Sequence, residues 1–185
     1  MHRVLVQGAA ALLIGAGLVY LQPIGAIGAD AADAPAAAPA EAAAGAAAGA
    51  VDLTTPMPPL ERVAKSPKGS LKNPYTDNPE AIAQGKKLYF NKSCNGCHGG
   101  GGGGGMCPPL TNTVWVYGDD DDTLFRLISL GSDELKKNGY SRKGTEGVVG
   151  PMPPFGELIN TDQDVWKIIA WIRTVFAGGP ERRHW

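Results

Sequence analysis

The sequence lacks an excess of charge of either sign. Its 185 residues include 17 lysines and arginines and 18 aspartates and glutamates, for a formal net charge of −1. Proteins that hold nucleic acid or an anionic membrane surface by electrostatic attraction carry a basic excess. The composition therefore argues against both kinds of partner. With 43 % hydrophobic residues, the chain has apolar side chains for one modest core, so we expect a single folded domain.

Large apolar side chains are absent from residues 30–50, "DAADAPAAAPAEAAAGAAAGA". Such a stretch cannot bury enough area to offset the entropy lost when a chain becomes ordered. The residues that follow it are rich in proline. We therefore interpret residues 30–72 as an Ala/Pro-rich disordered tether that continues into an extended arm wrapping the domain.

The start of the chain has the pattern of a secretory signal peptide. A short basic start at residues 2–3 precedes an almost uninterrupted apolar run, Val4–Leu21, and small residues follow it. We assign residues 1–29 to the signal peptide, with cleavage after Ala31 as an alternative site that fits the A-x-A pattern. An uncleaved anchor is the other interpretation, because the run is just long enough to cross a bilayer. Either way we expect the rest of the chain in the periplasm, without stable membrane insertion if the signal is cleaved.

Alternation of apolar and polar residues, the pattern of a half-buried strand, is also missing. We therefore predict an all-α domain over residues 73–179, followed by a charged tail at residues 180–185. Capping residues and apolar periodicity predict three helices: one that follows Asn78 and runs to about Phe90, one that begins at Asp119–Asp122 and ends at Gly131, and one that begins at Thr161. The acidic cluster Asp119–Asp122 is explained by capping and the helix dipole, with metal binding or docking as the alternative.

The loops between these helices are long for a small domain. Little regular structure is indicated for residues 99–113 and 132–160. Structureless loops of that length usually serve a function or replace a missing constraint. A large apolar cofactor would supply such a constraint, because the chain could then fold around it.

Cys94, Cys97 and His98 form the C-x-x-C-H signature of covalent c-type haem attachment. The two thiols add to the two vinyl groups on one edge of the porphyrin, which places the adjacent histidine under the iron. A structural zinc site would need a second ligand pair, and Cys107 is the only cysteine left. A thioredoxin-like redox pair would need a βαβ context. The motif therefore predicts one covalently bound haem c, attached outside the cytoplasm.

Iron in such a site is bound by His98 on one face and by a second ligand, or an open position, on the other. Methionine is the better candidate for the second ligand, because His184 lies in the charged tail. Met152 lies in "GPMPPFG", where the prolines enforce an extended loop, and is far enough from His98 for the chain to reach the opposite face. We therefore predict Met152 as the ligand and keep Met57 and Met106 as alternatives.

Several motifs together resemble those of the class I c-type cytochromes: "CNGCH", "PPL" at 108–110, "GPMPPF" at 150–155 and the last predicted helix, "DVWKIIAWIRTVF". The longer stretches "GGGGGGGMCPPL", "WVYGDDDDTLFRLI" and "VVGPMPPFG" resemble the periplasmic cytochromes cL. Proteins of that family accept electrons from quinone-dependent methanol dehydrogenases, including lanthanide-dependent ones. The resemblance covers residues 73–176 and leaves out the alanine-rich tether.

The resemblance implies a class I cytochrome c fold with a covalently bound haem and long loops. It also implies that Cys94 and Cys97 hold the porphyrin, that His98 and Met152 bind the iron, and that the carbonyl of Pro108 accepts the His98 ring N–H. The protein would then be a one-electron carrier with no catalytic residue. It would take electrons from a methanol or alcohol dehydrogenase and pass them to a downstream cytochrome or oxidase. The alternatives are a haem-bearing subunit stably attached to a dehydrogenase, and a haem enzyme or sensor with an open iron position.

Two further features of this segment remain open at the level of sequence. Cys107 stands where the broad family has a glycine. This suggests a turn position away from the haem, with either a buried free thiol or a thiol that reacts or forms an intermolecular disulfide. The glycine run 99–105 is either a low-profile loop beside the haem edge or a flexible insertion.

Three other positions have roles suggested by their type and place. The resemblance implies that Gly85 lets the first predicted helix cross the last one closely, near Trp171 and Ile172. Trp115 and Tyr117 are candidates to line the haem or to reach its propionates through the ring N–H and the hydroxyl, with an ordinary core role as the alternative.

Overall fold

The computed structural model describes residue 52 and residues 54–144, 147 and 150–185. The predicted signal peptide and the tether up to residue 51 lie outside the described residues. The described residues form five α-helices and one short 3-10 helix: α1 Pro59–Lys65, α2 Pro79–Asn91, α3 Cys94–His98, α4 Asp121–Lys137, α5 Asp162–Thr174 and the 3-10 helix Pro180–Arg182. They contain no strand, which confirms the all-α prediction. None of the helices within these residues combines the length and the apolar character needed to cross a bilayer.

The predicted capping residues begin the two longest uninterrupted helices. The Asn78 side chain accepts a hydrogen bond from the Ala81 N–H at 2.9 Å, at the start of α2. The Thr161 hydroxyl accepts one from the Asp164 N–H at 3.2 Å, at the start of α5. In each case a polar side chain satisfies a donor that has no partner within the helix, so the chain turns into a helix at that residue.

Helices α2 and α5 pack against each other through Gly85. A Cβ atom at this position would lie 1.9 Å from the carbonyl oxygen of Lys167 and 3.1 Å from the Ile168 nitrogen. The backbones therefore meet with no side chain between them. The crossing lies at Lys167 and Ile168, one turn before the Trp171 and Ile172 that the resemblance suggested.

The core surrounds this crossing and is rich in aromatic side chains. The Tyr89 and Trp171 rings pack with centroids 4.3 Å apart, and the Phe125 and Trp166 rings lie 4.4 Å apart. Tyr89 lies four residues after Gly85, so the close crossing also presses its ring onto α5.

Residues 54–72 pack on the domain, and α1 forms inside the arm that the prolines suggested would be extended. The buried Arg62 side chain pairs with the buried Asp162 at 2.6 Å, at the start of α5. The same carboxylate accepts the Met57 N–H at 3.1 Å, and Arg62 also donates to the Thr55 carbonyl at 3.0 Å. A buried ion pair whose remaining polar groups are also satisfied fixes one geometry for its neighbours. This pair therefore joins α1 to the domain.

The acidic cluster Asp119–Asp122 is used internally, as capping predicted. The Asp120 side chain caps α4 by accepting the Thr123 N–H at 2.9 Å. The other three aspartates each pair with a side chain: Asp119 with the His184 ring at 2.8 Å, Asp121 with the Arg173 guanidinium at 2.6 Å, and Asp122 with the Arg126 guanidinium at 2.9 Å. Within the described residues, no group of acidic, histidine or cysteine side chains is arranged to hold a metal ion.

We expect Gly85→Ala to destabilise the haem-loaded protein by about 2 kcal/mol or more, because a methyl group there overlaps backbone atoms that cannot move aside. Helix propensity alone predicts the opposite sign, a gain of about 1 kcal/mol. Gly101→Ala is the matched control, because a Cβ at Gly101 meets nothing within 4 Å. Chemical denaturation measures both. A Gly85→Ala protein as stable as the Gly101→Ala protein would contradict the close crossing.

Candidate haem site

The C-x-x-C-H motif forms the one-turn helix α3, directly after α2. Ser93, between the two helices, has a left-handed backbone with φ of 60°, which turns the chain sharply into the motif. Cys94 and His98 lie four residues apart, so they face the same side of the turn. Both line a cavity of about 370 Å³ at the centre of the domain. The Cys97 side chain is half-buried, and its thiol lies against that of Cys107.

His98 is oriented by a hydrogen bond from its ring. Its Nδ1 lies 2.9 Å from the carbonyl oxygen of Pro108. A carbonyl can only accept, so Nδ1 carries the proton and Nε2 keeps a free lone pair. Burial lowers the pKa of His98, and the hydrogen bond to Pro108 opposes that effect. The ring is therefore a neutral imidazole at neutral pH, which is the form that binds iron.

Met152 lines the same cavity as His98. Its loop is fixed to α4 by two reciprocal hydrogen bonds: the Met152 N–H donates to the Ser132 hydroxyl at 3.0 Å, and the Ser132 N–H donates to the Met152 carbonyl at 2.9 Å. The thioether thus projects from a backbone that the helix holds in place.

A break in α4 at Gly131 makes room for this loop. Gly131 has φ of 76°, and a Cβ there would lie 2.7 Å from the Met152 carbonyl oxygen. The break frees carbonyls that would otherwise bond within the helix. Ile128 accepts the Phe155 N–H at 2.9 Å, and Ser129 accepts the Gly156 N–H at 3.0 Å. The sequence indicated Gly131 as the end of a helix, and the helical backbone does stop there; a second helical stretch follows directly and runs to Lys137.

The other two candidate methionines lie elsewhere. Met57 forms backbone hydrogen bonds with Asp162 at the junction of α1 and α5. Met106 is 66 % exposed on the outer side of the glycine loop. Neither lines the cavity that holds His98 and Met152.

The remaining wall of the cavity is mainly apolar. It is formed by side chains from α4, from α5 and from the segment before α4, among them Leu110, Trp115, Leu124, Ile128, Ile168 and Ile172. A flat apolar macrocycle fits such a lining, with a thiol at its edge, an imidazole on one side and a thioether available from the Met152 loop. The residues present therefore suit the haem that the motif predicts.

The glycine run forms a hydrogen-bonded loop. The Gly104 N–H donates to the His98 carbonyl at 2.8 Å, and the Leu110 N–H donates to the Gly102 carbonyl at 2.7 Å. The Tyr89 hydroxyl donates to the Gly99 carbonyl at 2.6 Å. These three glycines have φ between 76° and 93°, a region that disfavours other residues. The loop therefore has a specific hydrogen-bonded conformation at these positions.

Cys107 is closer to the site than expected. The resemblance described above suggested a turn position away from the haem, yet the half-buried Cys107 side chain is part of the cavity wall. Its N–H donates to the Cys97 carbonyl at 3.2 Å, which closes the loop onto α3. Burial, together with the Cys97 thiol, raises the pKa of Cys107. It is therefore a protonated, weakly nucleophilic thiol at neutral pH.

Tyr89 and Ser132 take part in the site although the sequence did not single them out, whereas Trp115 lines the cavity, as one of its two sequence-based interpretations predicted. Tyr89 supports the glycine loop from α2, and Ser132 holds Met152. The Trp115 N–H donates to the Leu110 carbonyl at 2.9 Å, so it is not available to a propionate. Tyr89 lies four residues after Gly85, and this spacing is the signal that could have identified it as a residue facing α5.

We expect Gly131→Ala to displace the Met152 loop and so to weaken the near-infrared band of a methionine sulfur bound to ferric haem. Gly139→Ala is the matched control, because Gly139 also has a positive φ, 77°, but a Cβ there would meet only the Lys68 side chain, at 3.5 Å. Both variants should lose about 1 kcal/mol of stability from backbone strain. If both variants changed the band equally, Gly131 would have no specific role in positioning the Met152 loop.

Comparison with known proteins places these features in a family. The cytochrome c family model matches residues 82–176, just over half of the chain. Cytochrome c-L of Methylorubrum extorquens is 29 % identical over 115 residues, which cover 61 % of this chain and 49 % of the relative. The cbb3-type cytochrome c oxidase subunit CcoP of Rubrivivax gelatinosus is 29 % identical over 104 residues, 56 % of this chain and 28 % of that subunit. The chain thus spans half or less of the length of these relatives.

Among solved structures, the chain is similar to cytochrome cL of Methylophaga aminisulfidivorans, with 26 % identity and a TM-score of 0.46, over 60 % of this chain and 66 % of the other. The family match includes the attachment motif and the helix that forms the back wall of the cavity. The chain therefore belongs to the cytochrome c family, whose cofactor is a covalently bound haem c.

Proposed function

We propose that this protein is a periplasmic one-electron carrier whose haem iron is bound by His98 and Met152. The observation that carries the proposal is that these two side chains line one cavity, one with its ring fixed by Pro108 and the other on a loop fixed by Ser132. A bound haem supplies a redox centre that exchanges one electron. His98 and Met152 would both hold the iron, so no position would be left there for a substrate.

The residues of the chain set how that centre behaves. Cys94 and Cys97 would hold the porphyrin, and the neutral His98 ring would offer Nε2 to the iron. A methionine thioether as second ligand favours the reduced state and raises the reduction potential. The apolar wall excludes water and so disfavours the additional charge of the oxidised iron. These features suit a carrier that accepts electrons from a dehydrogenase.

We propose a quinone-dependent methanol or alcohol dehydrogenase as the electron donor. The similarity to cytochrome c-L supports this choice, because the cytochromes cL accept electrons from methanol dehydrogenases. The similarity to the oxidase subunit CcoP supports a terminal oxidase or another cytochrome as the downstream partner. A stable haem-bearing subunit of the dehydrogenase is the second candidate.

The ligand assignment predicts that Met152→Ala loses the near-infrared sulfur-to-iron band and gains carbon monoxide binding in the reduced state. Absorbance spectra of both oxidation states measure these changes. Met57→Ala and Met106→Ala are the controls, because neither residue lines the cavity. Loss of the band in either control, or free carbon monoxide binding by the unmodified protein, would overturn the assignment and favour a haem with an open position.

The partner assignment predicts rapid reduction by a purified quinone-dependent methanol dehydrogenase supplied with methanol, followed by stopped-flow absorbance. Met152→Ala should be reduced at least about tenfold more slowly, because loss of the thioether lowers the driving force. The enzyme without methanol is the control. No reduction at micromolar concentrations would remove this donor, and co-elution of the two proteins in gel filtration would favour the stable subunit.

A further inference from the structure

All three cysteines of the chain converge where the attachment motif meets the cavity, and we call Cys94, Cys97 and Cys107 the thiol cluster. Cys94 and Cys107 line the cavity, and the thiols of Cys97 and Cys107 are in hydrogen-bond contact with each other. Haem offers only two vinyl groups to thiols. The third thiol of the cluster therefore lies beside the attachment point without a role in the attachment described above.

Cys107 lies on the Cys97 side of the thiol cluster. The influence of Cys97 on Cys94 is electrostatic, and the Cys94 sulfur lies 4.0 Å from the Lys92 carbonyl oxygen. The contact between the other two thiols places both within reach of the same vinyl group, the one that Cys97 would capture. Cys107 is thus a second candidate for that vinyl group and not for the one beside Cys94.

The backbone fixes the position of Cys107 from both sides. Its N–H donates to the Cys97 carbonyl at 3.2 Å, and its carbonyl accepts the Gly105 N–H at 3.2 Å. The carbonyl of the next residue, Pro108, accepts the His98 ring N–H at 2.9 Å. Gly105 lets the loop lie close to α3, because a Cβ there would lie 2.9 Å from the Cys97 carbonyl oxygen. The glycine loop thus returns a sulfur to the motif at a defined point.

We propose that Cys107 is a second attachment residue for the haem, which forms a thioether bond with the vinyl group of Cys97 when Cys97 is absent or no longer reactive. The Cys107 sulfur bonds to the inner carbon of the vinyl group, its hydrogen goes to the outer carbon, and the double bond between the two carbons becomes a single bond. This addition needs neither an oxidant nor a reductant. The inference rests on the haem site of the proposed function and is independent of the electron donor.

The order of folding gives Cys97 precedence over Cys107. Cys97 belongs to the motif itself, whereas Cys107 reaches the same vinyl group only after the glycine loop has folded back onto α3. Protonation does not distinguish Cys107 from a motif cysteine, because burial also raises the pKa of Cys94, to about 11. Oxidation of Cys97 to a sulfinic acid before haem arrives would prevent it from adding to the vinyl group. Cys107 would then supply the second covalent link.

The test compares the haem-loaded protein with variants that lack single cysteines. In Cys97→Ser, Cys107 should lose its reaction with iodoacetamide after denaturation, and mass spectrometry of a digest should find the haem on its peptide. The α band of the pyridine haemochrome should stay at the wavelength of the unmodified protein, because both vinyl groups are saturated. In Cys97→Ser/Cys107→Ser the band should move to longer wavelength, because one vinyl group remains.

Cys94→Ser is the matched control, because Cys107 does not reach the vinyl group beside Cys94. In this variant Cys107 should stay reactive with iodoacetamide, and the band should move to longer wavelength as in the double variant. The loop is tested by adding Gly105→Ala to Cys97→Ser, which should lower the share of protein with haem on Cys107 at least about threefold by displacing the sulfur. Gly103→Ala is the control for the loop, since a Cβ there meets nothing within 4 Å.

A Cys97→Ser protein that holds its haem through Cys94 alone, with Cys107 still reactive, overturns the inference. Absence of covalent haem from Cys97→Ser, both in cells and after the reduced full-length chain is incubated with reduced haem, overturns it as well. If acidified butanone extracts the haem from the unmodified protein, the proposed haem site itself fails. A protein that methanol dehydrogenase cannot reduce, but whose Cys97→Ser variant carries haem on Cys107, would lose its proposed donor and keep its second attachment residue.

Discussion

The break in α4 at Gly131 is the constraint on which the second face of the haem cavity depends. A continuous helix would use the carbonyls of Ile128 and Ser129 internally and would fill the space that the Met152 loop occupies. With a glycine in the left-handed region, those carbonyls turn to residues about 27 positions later in the chain, Phe155 and Gly156. Local hydrogen bonds are thus exchanged for long-range ones at one backbone torsion, and Met152 lines the same cavity as His98 as a result.

The opposite face depends on the close crossing of α2 and α5. Because Gly85 brings the two backbones into contact, α2 delivers α3 to a fixed point beside the wall that α5 supplies. Arg62 then joins the proline-rich arm to the first residue of α5, so the start of that helix is held from outside as well. The segments that carry His98 and Met152 are both short, but each is attached to a helix whose position is set by packing. The geometry of the site therefore depends on residues that do not line the cavity, such as Gly85 and Arg62.

Local signals predicted the parts of the structure that depend on neighbouring residues. The sequence predicted the caps at Asn78 and Thr161, because in each a side chain and its backbone partner lie three residues apart. It predicted the attachment motif because all of its residues lie within five positions. The sequence did not predict helix α1, the second helical stretch of α4 up to Lys137, or the position of Cys107 in the cavity wall. The first depends on Asp162, about 100 residues away, and the second on the Met152 loop. Contacts between residues far apart in the chain produce no periodic pattern in the sequence. The sequence therefore indicated only that a helix ends at Gly131.

Covalent attachment at the one-turn helix α3 affects whether the cofactor is lost when the protein unfolds. A cofactor held only by contacts leaves when its pocket opens, and recovery then depends on meeting another molecule from solution. Thioether bonds at the C-x-x-C-H turn make the largest hydrophobic group of the core a side group of the chain. Denaturation and recovery are thus unimolecular, and the melting temperature is independent of how much free porphyrin or how much protein the solution contains. The protein can therefore open transiently and refold without access to any supply of haem.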